Sequence, residues 1–230
     1  MRIFVQELTS HGTLTLDRDR SHYLCRVRRA VPGDEVELFD GSGLVVRATL
    51  RDANKKAATV DIFECEHVAA TGIRLSLMLC AIKGDAADRA VQKSVELGAT
   101  EIRVLSSARS NVAHRQRRVE HLQRVAVSAC EQCGQNLVPR VRHFSALREA
   151  VSNTSQLIVL HPGAEPLPTV LPRRDTLVCI GPEGGWTQDE LDQLASAEAR
   201  FAGLGNLVLR AETAPLAALA AIRSGWGWDA

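Results

Sequence analysis

The stretch IRLSLMLCAI, residues 73–82, decides the fold. It is a near-continuous apolar run with one charge near its start, the pattern of a β-strand buried on both faces. A helical pattern follows at once in DAADRAVQKSVELG (85–98), where Ala87, Val91 and Val95 form an apolar stripe and Gly98 supplies a terminator. EIRVLSS (101–107) reads as the next strand and RRVEHLQRVAVSACEQCG (117–134) as a long helix closed by Gly134. LIVLHP (157–162), LVCIGPEGG (177–185) and FAGLGNLVL (201–209) read as further strands with glycine- or proline-rich ends. Between them, TQDELDQLASAE (187–198) opens with Thr187 and Glu190 at capping-box spacing. AETAPLAALAAIRSGWG (211–227) is an apolar final helix. Strands alternating with helices predict an α/β domain built on a largely parallel sheet over residues 73–230.

Upstream the texture differs. RIFVQEL (2–8), DEVELFD (34–40), LVVRATL (44–50) and ATVDIFECE (58–66) are short strand-like runs separated by turn residues. They predict a small β-barrel over residues 1–70, interrupted by one helix in DRSHYLCRVRRAV (19–31). The boundary falls near residues 70–73.

Composition limits the function. The chain has 230 residues, 45% hydrophobic and 24% charged, with a net charge of +1. That balance excludes a disordered chain. No apolar run reaches the roughly 18 residues that span a bilayer. The N-terminal stretch lacks a secretory core, so the expected location is the cytoplasm. The charge is uneven: Arg18, Arg20, His22, Arg26, Arg28 and Arg29 crowd one stretch. Arg109, His114, Arg115, Arg117, Arg118, His121 and Arg124 crowd another. Such patches meet phosphates or are simply solvated helix faces. Six cysteines sit mostly in apolar runs and read as buried small hydrophobes. Cys130 and Cys133 form C-x-x-C at a helix end, but no second pair has zinc spacing, so no metal is expected.

Ligands of open α/β sheets bind beyond the carboxyl ends of strands. Three ends here are rich in turn residues: Leu160-His161-Pro162-Gly163, Gly181-Pro182-Glu183-Gly184-Gly185 and Leu204-Gly205-Asn206. Glycines let backbone approach a ligand closely. The phosphate-binding motifs G-x-G-x-x-G after the first α/β strand and G-x-x-x-x-G-K-[ST] are missing, as is the hydrolase elbow G-x-S-x-G. A cleft of free backbone groups flanked by Leu and Ile suits an adenosine-type ligand.

The phrases QKSVELGAT (92–100), ACEQCGQN (129–136), GPEGGW (181–186) and LGNLVLRAETA (204–214) resemble the 16S ribosomal RNA uridine-N3 methyltransferases of the RsmE type, in the SPOUT superfamily. HYLCRVRR (22–29), PGDEVELFDGSG (32–43) and KKAATVDI (55–62) resemble the PUA-like barrel of the same family. The resemblance implies a trefoil-knotted C-terminal domain, a homodimer, S-adenosylmethionine as cofactor, and 16S rRNA or the assembled small subunit as substrate. It implies a cofactor pocket from Leu160, His161, Gly163, Ile180, Gly181, Glu183, Gly184, Gly185, Leu204, Gly205, Leu209 and Thr213. Arg210 is the candidate to stabilise developing negative charge or grip a phosphate, and Glu212 to orient it or accept a proton. The competing reading of Arg210 and Glu212 is a structural salt bridge between the two. Glu183 fits best as an anchor for its own loop, and His161 as a plain loop residue or a donor. Arg2, His22, Arg26, Arg28 and Arg29 are candidates for RNA contact. Leu207 departs from the family pattern, which has arginine there. Two other readings compete: a knotted methyltransferase acting on tRNA or a ribose 2′-hydroxyl, and an RNA-binding relative without activity.

Overall fold

The computed structural model describes residues 1–69, 72–80, 84–109, 116–168 and 170–228. The chain divides into two compact units, Met1–Ala70 with Cys130–Val138, and Thr71–Ala129 with Pro139–Ala230. Residues 130–138, which the sequence reading gave to the second domain, therefore pack with the first unit.

In the first unit the strands are β1 (Arg2–Phe4), β2 (Gly12–Thr15), β3 (Glu35–Phe39), β4 (Leu44–Asp52) and β5 (Thr59–His67). They form one sheet in the order β1-β3-β4-β5-β2, parallel between β1 and β3 and antiparallel elsewhere. Alternation drives it: Val36 and Leu38 of β3 and Val46, Ala48 and Leu50 of β4 are buried in a core that also takes Leu16, Leu24 and Val60. Arg47 on the exposed face ties Glu35 and Glu64 across two neighbouring strands, at 2.9 and 2.7 Å.

The predicted helix over 19–31 is shorter and changes pitch. It is α1 (Arg18–His22), capped by the Asp17 carboxylate, continuing as one π-helical turn over Tyr23–Val27. The Arg28 amide donates to the Tyr23 carbonyl at 2.9 Å, and Arg29 then turns left-handed at φ 57°. Ser21 is buried beneath this segment. Its hydroxyl donates to the Leu16 carbonyl and accepts from the Ala58 amide, which fixes the helix to the sheet. The short strand β2 gave no signal in the sequence.

Cys130–Val138 completes this unit through polar bonds. Glu131 accepts from the Phe4 amide at 2.9 Å, and the Val138 amide donates to the Gly41 carbonyl at 3.0 Å. Arg2 donates to the Gln135 carbonyl and to the Asn136 side chain, pairs with Glu37 at 2.9 Å, and lies over the Phe39 ring.

The second unit contains β6 (Leu75–Cys80), α2 (Gly84–Glu96), β7 (Glu101–Leu105), α3 (Gln116–Cys133, its last turn in the first unit) and β8 (Arg140–Phe144). It continues with α4 (Leu147–Ala150), β9 (Gln156–Leu160), β10 (Thr176–Ile180), α5 (Gln188–Ser196), β11 (Arg200–Ala202) and α6 (Ala214–Trp226). The six strands are all parallel, in the order β11-β9-β10-β6-β7-β8. The central strands β6 and β10 are buried along their whole length, as the apolar runs demand. Each fully buried Leu or Met there contributes about 1.5–3 kcal/mol. On α2, Ala87, Val91 and Val95 are buried as the stripe predicts, joined by Ala90 and Ser94. The capping box of Thr187 and Glu190 is formed. β8 and the one-turn α4 were not foreseen.

The predicted strand FAGLGNLVL is corrected. Only Arg200–Ala202 pairs with β9, Gly203 adds a single bridge to Pro166, and residues 204–213 leave the sheet as a loop. Leu207 and Val208 within it are 80% and 82% exposed. Glycines at 203 and 205 interrupt the β-prone run, and β11 is an edge strand with no outer neighbour to extend it.

One polar cluster is enclosed in this unit. The Arg103 side chain, 7% exposed, pairs with Glu101 at 2.8 Å and donates to the carbonyls of Ala150 and Ser152. It fastens β7 to the end of α4. Arg103→Ala should lower the unfolding free energy by about 2 kcal/mol, since it leaves two carbonyls without their donor and Glu101 with only its 3.5 Å contact to Arg142. A urea titration followed by circular dichroism reads this as a lower midpoint with an unchanged slope.

Candidate functional site

The site is built where the parallel register ends. Leu160 of β9 lies opposite Ile180 of β10 and Ala202 of β11. These three last strand residues form one row, and the segments that follow them leave the sheet along the same edge. Together with the start of α2 they line a cavity of about 790 Å³. That lies inside the range of small-molecule sites, roughly 300–1,000 Å³.

Each segment is held by its own backbone. After β9, the His161 amide donates to the Ala202 carbonyl at 3.0 Å, and the Ala164 amide returns to the His161 carbonyl at 3.2 Å. After β11, Gly203 exchanges bonds with Glu165 and Leu167, both at 2.8 Å. After β10, the Gly185 amide donates to the Pro182 carbonyl at 2.9 Å. Gly185 sits at φ 70°, a conformation that favours glycine, so this turn explains its residue type. Gly181 is needed for a different reason. A Cβ there would stand 2.8 Å from the indole nitrogen of Trp186, which is 7% exposed and packs against the loop. Before α6, the amides of Thr213 and Ala214 both donate to the Arg210 carbonyl at 2.9 Å, and Pro215 starts the helix.

Of the residues proposed for the pocket, Leu160, His161, Ile180, Gly181, Glu183, Gly185, Leu204, Gly205 and Leu209 line the cavity. Gly163, Gly184 and Thr213 do not: Gly163 sits in the turn behind His161, the Gly184 carbonyl accepts from Arg109 at 2.9 Å, and Thr213 is the N-cap of α6. Arg210 and Glu212 both line it, but the salt bridge suggested between them is not formed. Glu212 is half-buried and its partner is Arg89 of α2, at 3.6 Å. Arg210 is exposed, and no ion pair of its side chain is found among the described residues.

Sequence reasoning missed Asp85, Ala86 and Arg89, which line the cavity from the first turns of α2. The available signal was topological: α2 follows β6, so its start stands at the same edge of the sheet as the glycine-rich loops. Trp186, Leu207 and Val208 were missed as well. The cavity thus carries an apolar floor of Leu160, Ile180, Ala202 and Leu209, with three carboxylates (Asp85, Glu183, Glu212), two guanidinium groups (Arg89, Arg210) and one imidazole (His161) around it.

The candidates for RNA contact divide. His22, Arg26, Arg28 and Arg29 are exposed around the π-helical turn, with the Arg28 guanidinium 5.9 Å from the centre of the Tyr23 ring. Arg2 is corrected: its side chain is 15% exposed and its Nη1 and Nη2 donate to Glu37, Gln135 and Asn136, so it anchors the first unit. In the second basic stretch, Arg118 and His121 pair with Asp88 at 2.8 and 2.6 Å, and Arg109 holds the Gly184 carbonyl. His114 and Arg115 lie outside the described residues. Cys130 is buried and its thiol is pushed up to about 12, chiefly by desolvation, so it stays neutral at pH 7. Among the described residues no group of three or more His, Cys, Asp or Glu side chains is placed to hold a metal ion, and no helix is long and apolar enough to cross a membrane.

Comparison with known proteins agrees with this geometry. Residues 70–223 match the family model of an RNA methyltransferase domain, and residues 16–63 that of an RNA methyltransferase PUA domain. The chain is 31% identical to a ribosomal RNA small subunit methyltransferase E from Synechocystis, over 96% of this chain and 76% of that protein. The crystal structure of a ribosomal RNA small subunit methyltransferase E from Neisseria gonorrhoeae, bound to S-adenosyl methionine, superposes with a TM-score of 0.87 at 32% identity, covering 97% of this chain and 96% of the other. A Legionella pneumophila methyltransferase in complex with the cofactor SAM gives the same TM-score at 27% identity, covering 97% and 96%. A glycine-lined cavity at the strand ends and a likeness that runs the length of the chain lead to one conclusion: this protein belongs to the ribosomal RNA small subunit methyltransferase E family.

Proposed function

We propose that this chain methylates N3 of a uridine in 16S rRNA of the small ribosomal subunit, using S-adenosylmethionine held in the cavity beyond β9, β10 and β11. One observation carries the reading: three loops that leave successive strands of a parallel sheet converge on a single cavity of ligand size. The residues present fit the cofactor. The apolar row suits a purine ring, the glycine loops offer free backbone groups, and three carboxylates against two guanidinium groups leave the lining with one net negative charge, which favours a cation over an anion.

When bound, the cofactor supplies an activated methyl group on a positive sulfonium. The chain has two tasks, positioning the uracil ring in line and making its N3 nucleophilic. N3 carries a proton that must leave as the N–CH3 bond forms. Glu212, half-buried at the cavity and beside Arg89, is the acceptor for that proton. Arg210, with no internal ion pair among the described residues, faces the negative charge that spreads onto the uracil oxygens.

We assign RNA binding to the unit over residues 1–70, as a PUA-like barrel, and catalysis to residues 73–230, as a trefoil-knotted domain. The strand order, with β9 between β11 and β10, supports the second assignment. We also propose a homodimer in the cytoplasm. Exposed Leu207 and Val208 at the cavity rim support a second copy as their cover.

Methyl transfer to isolated small subunits, to naked 16S rRNA and to tRNA, located by mass spectrometry of the digested RNA, tests the reading. Methyl on a uridine base at N3 is expected; methyl on a ribose, on tRNA or on nothing overturns it. Arg210→Ala should lower kcat about 100-fold, the cost of one charge-stabilising donor, and leave Tm almost unchanged because the residue is exposed. The triple variant Arg26→Ala, Arg28→Ala, Arg29→Ala should weaken RNA binding and flatten the log K against log salt slope by about 2–3. Arg2→Ala should instead cost about 2 kcal/mol of stability, seen in thermal melts, because its donors are spent inside the protein.

A further inference from the structure

The loop Gly181–Trp186 shapes the cavity, yet what fixes it comes from a strand two places away in the sheet. β7 is separated from β10 by β6, and the segment just beyond β7 crosses that gap. Two links tie it down, one to the loop and one to the start of α5 that follows the loop. The Arg109 guanidinium donates to the Gly184 carbonyl at 2.9 Å and to the Trp186 carbonyl at 3.4 Å. One residue earlier, the Ala108 amide donates to Glu190 Oε1 at 3.0 Å, while Glu190 Oε2 accepts from the Thr187 amide at 2.8 Å. Glu190 is buried, so its carboxylate serves both the cap of α5 and the end of β7.

We propose that Arg109 is a positioning residue for cofactor binding. Its Nη1 donates to two carbonyls of the loop at once, from the end of a planar guanidinium that a lysine ammonium, shorter in reach, replaces only in part. The grip sets the Trp186 backbone. The Trp186 indole in turn packs against Gly181, and Gly181, Gly185 and Trp186 all line the cavity. Arg109 itself does not line the cavity, so its effect on the ligand passes through the loop. The inference rests on the reading of the cavity as the cofactor site.

The test compares wild type, Arg109→Ala and Arg109→Lys. Calorimetric titration with S-adenosylmethionine should show Kd raised about tenfold in the alanine variant and recovered in part by lysine. The apo Tm should change little, because Arg109 is exposed. Under saturating RNA, KM for the cofactor should rise and kcat should hold. Hydrogen exchange of apo protein should be faster across residues 181–190 in Arg109→Ala and intermediate in Arg109→Lys, with the rest of the sheet unaffected. Unchanged cofactor affinity in Arg109→Ala overturns the proposal, as does a loss that tracks a general fall in Tm with no rescue by lysine. Wild type that binds no cofactor overturns the functional reading instead. In that event the exchange data still decide whether Arg109 holds the loop.

Discussion

Parallel pairing of β9, β10 and β6 is the constraint on which the rest depends. In a parallel ladder every strand delivers its carboxyl end to the same edge, so every return connection must begin there. β6 and β10 are buried along their length, and their amides and carbonyls are consumed by the ladder. Backbone groups become free for a ligand only past the last paired residues, Leu160, Ile180 and Ala202. The opposite edge is fastened shut. Arg74 grips Asp175 through its backbone amide and two side-chain donors, and holds that carboxyl below the usual range. Next to this pair the Thr176 amide bonds the Arg74 carbonyl, and the Gln156 amide bonds the Asp175 carbonyl. One edge of the sheet thus serves stability and the other serves chemistry.

The chemistry needs little from the protein beyond placement and charge. The cavity therefore has an apolar row for a ring system, with titratable groups around it rather than a nucleophile. No cysteine lines it, and the thiols of the neighbouring strands are out of play: burial pushes the Cys80 thiol up to about 12 and the Cys179 thiol well above its ordinary value. The polar groups reach the site from different depths. Glu212 is half-buried beside Arg89, whereas Arg210 is exposed. In the proposed mechanism that difference suits a proton acceptor that must be held still and a cation that must meet a large, incoming polyanion.

Much of this was legible in the residues. The apolar runs at 73–82, 157–160 and 177–180 announced buried strands, because burial on both faces removes the polar alternation that would disguise them. The three glycine-rich ends announced a cleft, because turn chemistry is local. Interactions set by tertiary partners were not legible. Leu207-Val208-Leu209 carries strong β-propensity and still leaves the sheet, since propensity cannot supply a neighbour to pair with. Arg2 reads as one more basic residue until Asn136 and Gln135 close on it. Glu212 reads as the partner of Arg210, two residues away, when its partner is a side chain more than one hundred residues upstream. Arg89 and Asp85 were passed over because a helix stripe directs attention to its buried side and away from its ends.

The nine residues Cys130–Val138 have an effect on modularity. The first unit borrows them from the middle of the sequence, where they accept from the Phe4 amide, bond the Gly41 carbonyl and engage Arg2. A fragment ending at Ala70 is therefore not a self-sufficient cassette: it would leave those donors and acceptors facing water. The same dependence limits how such a unit can be inherited. A recombination joint at residue 70 would transplant the sheet without its fastening, so a working copy has to travel together with the end of α3.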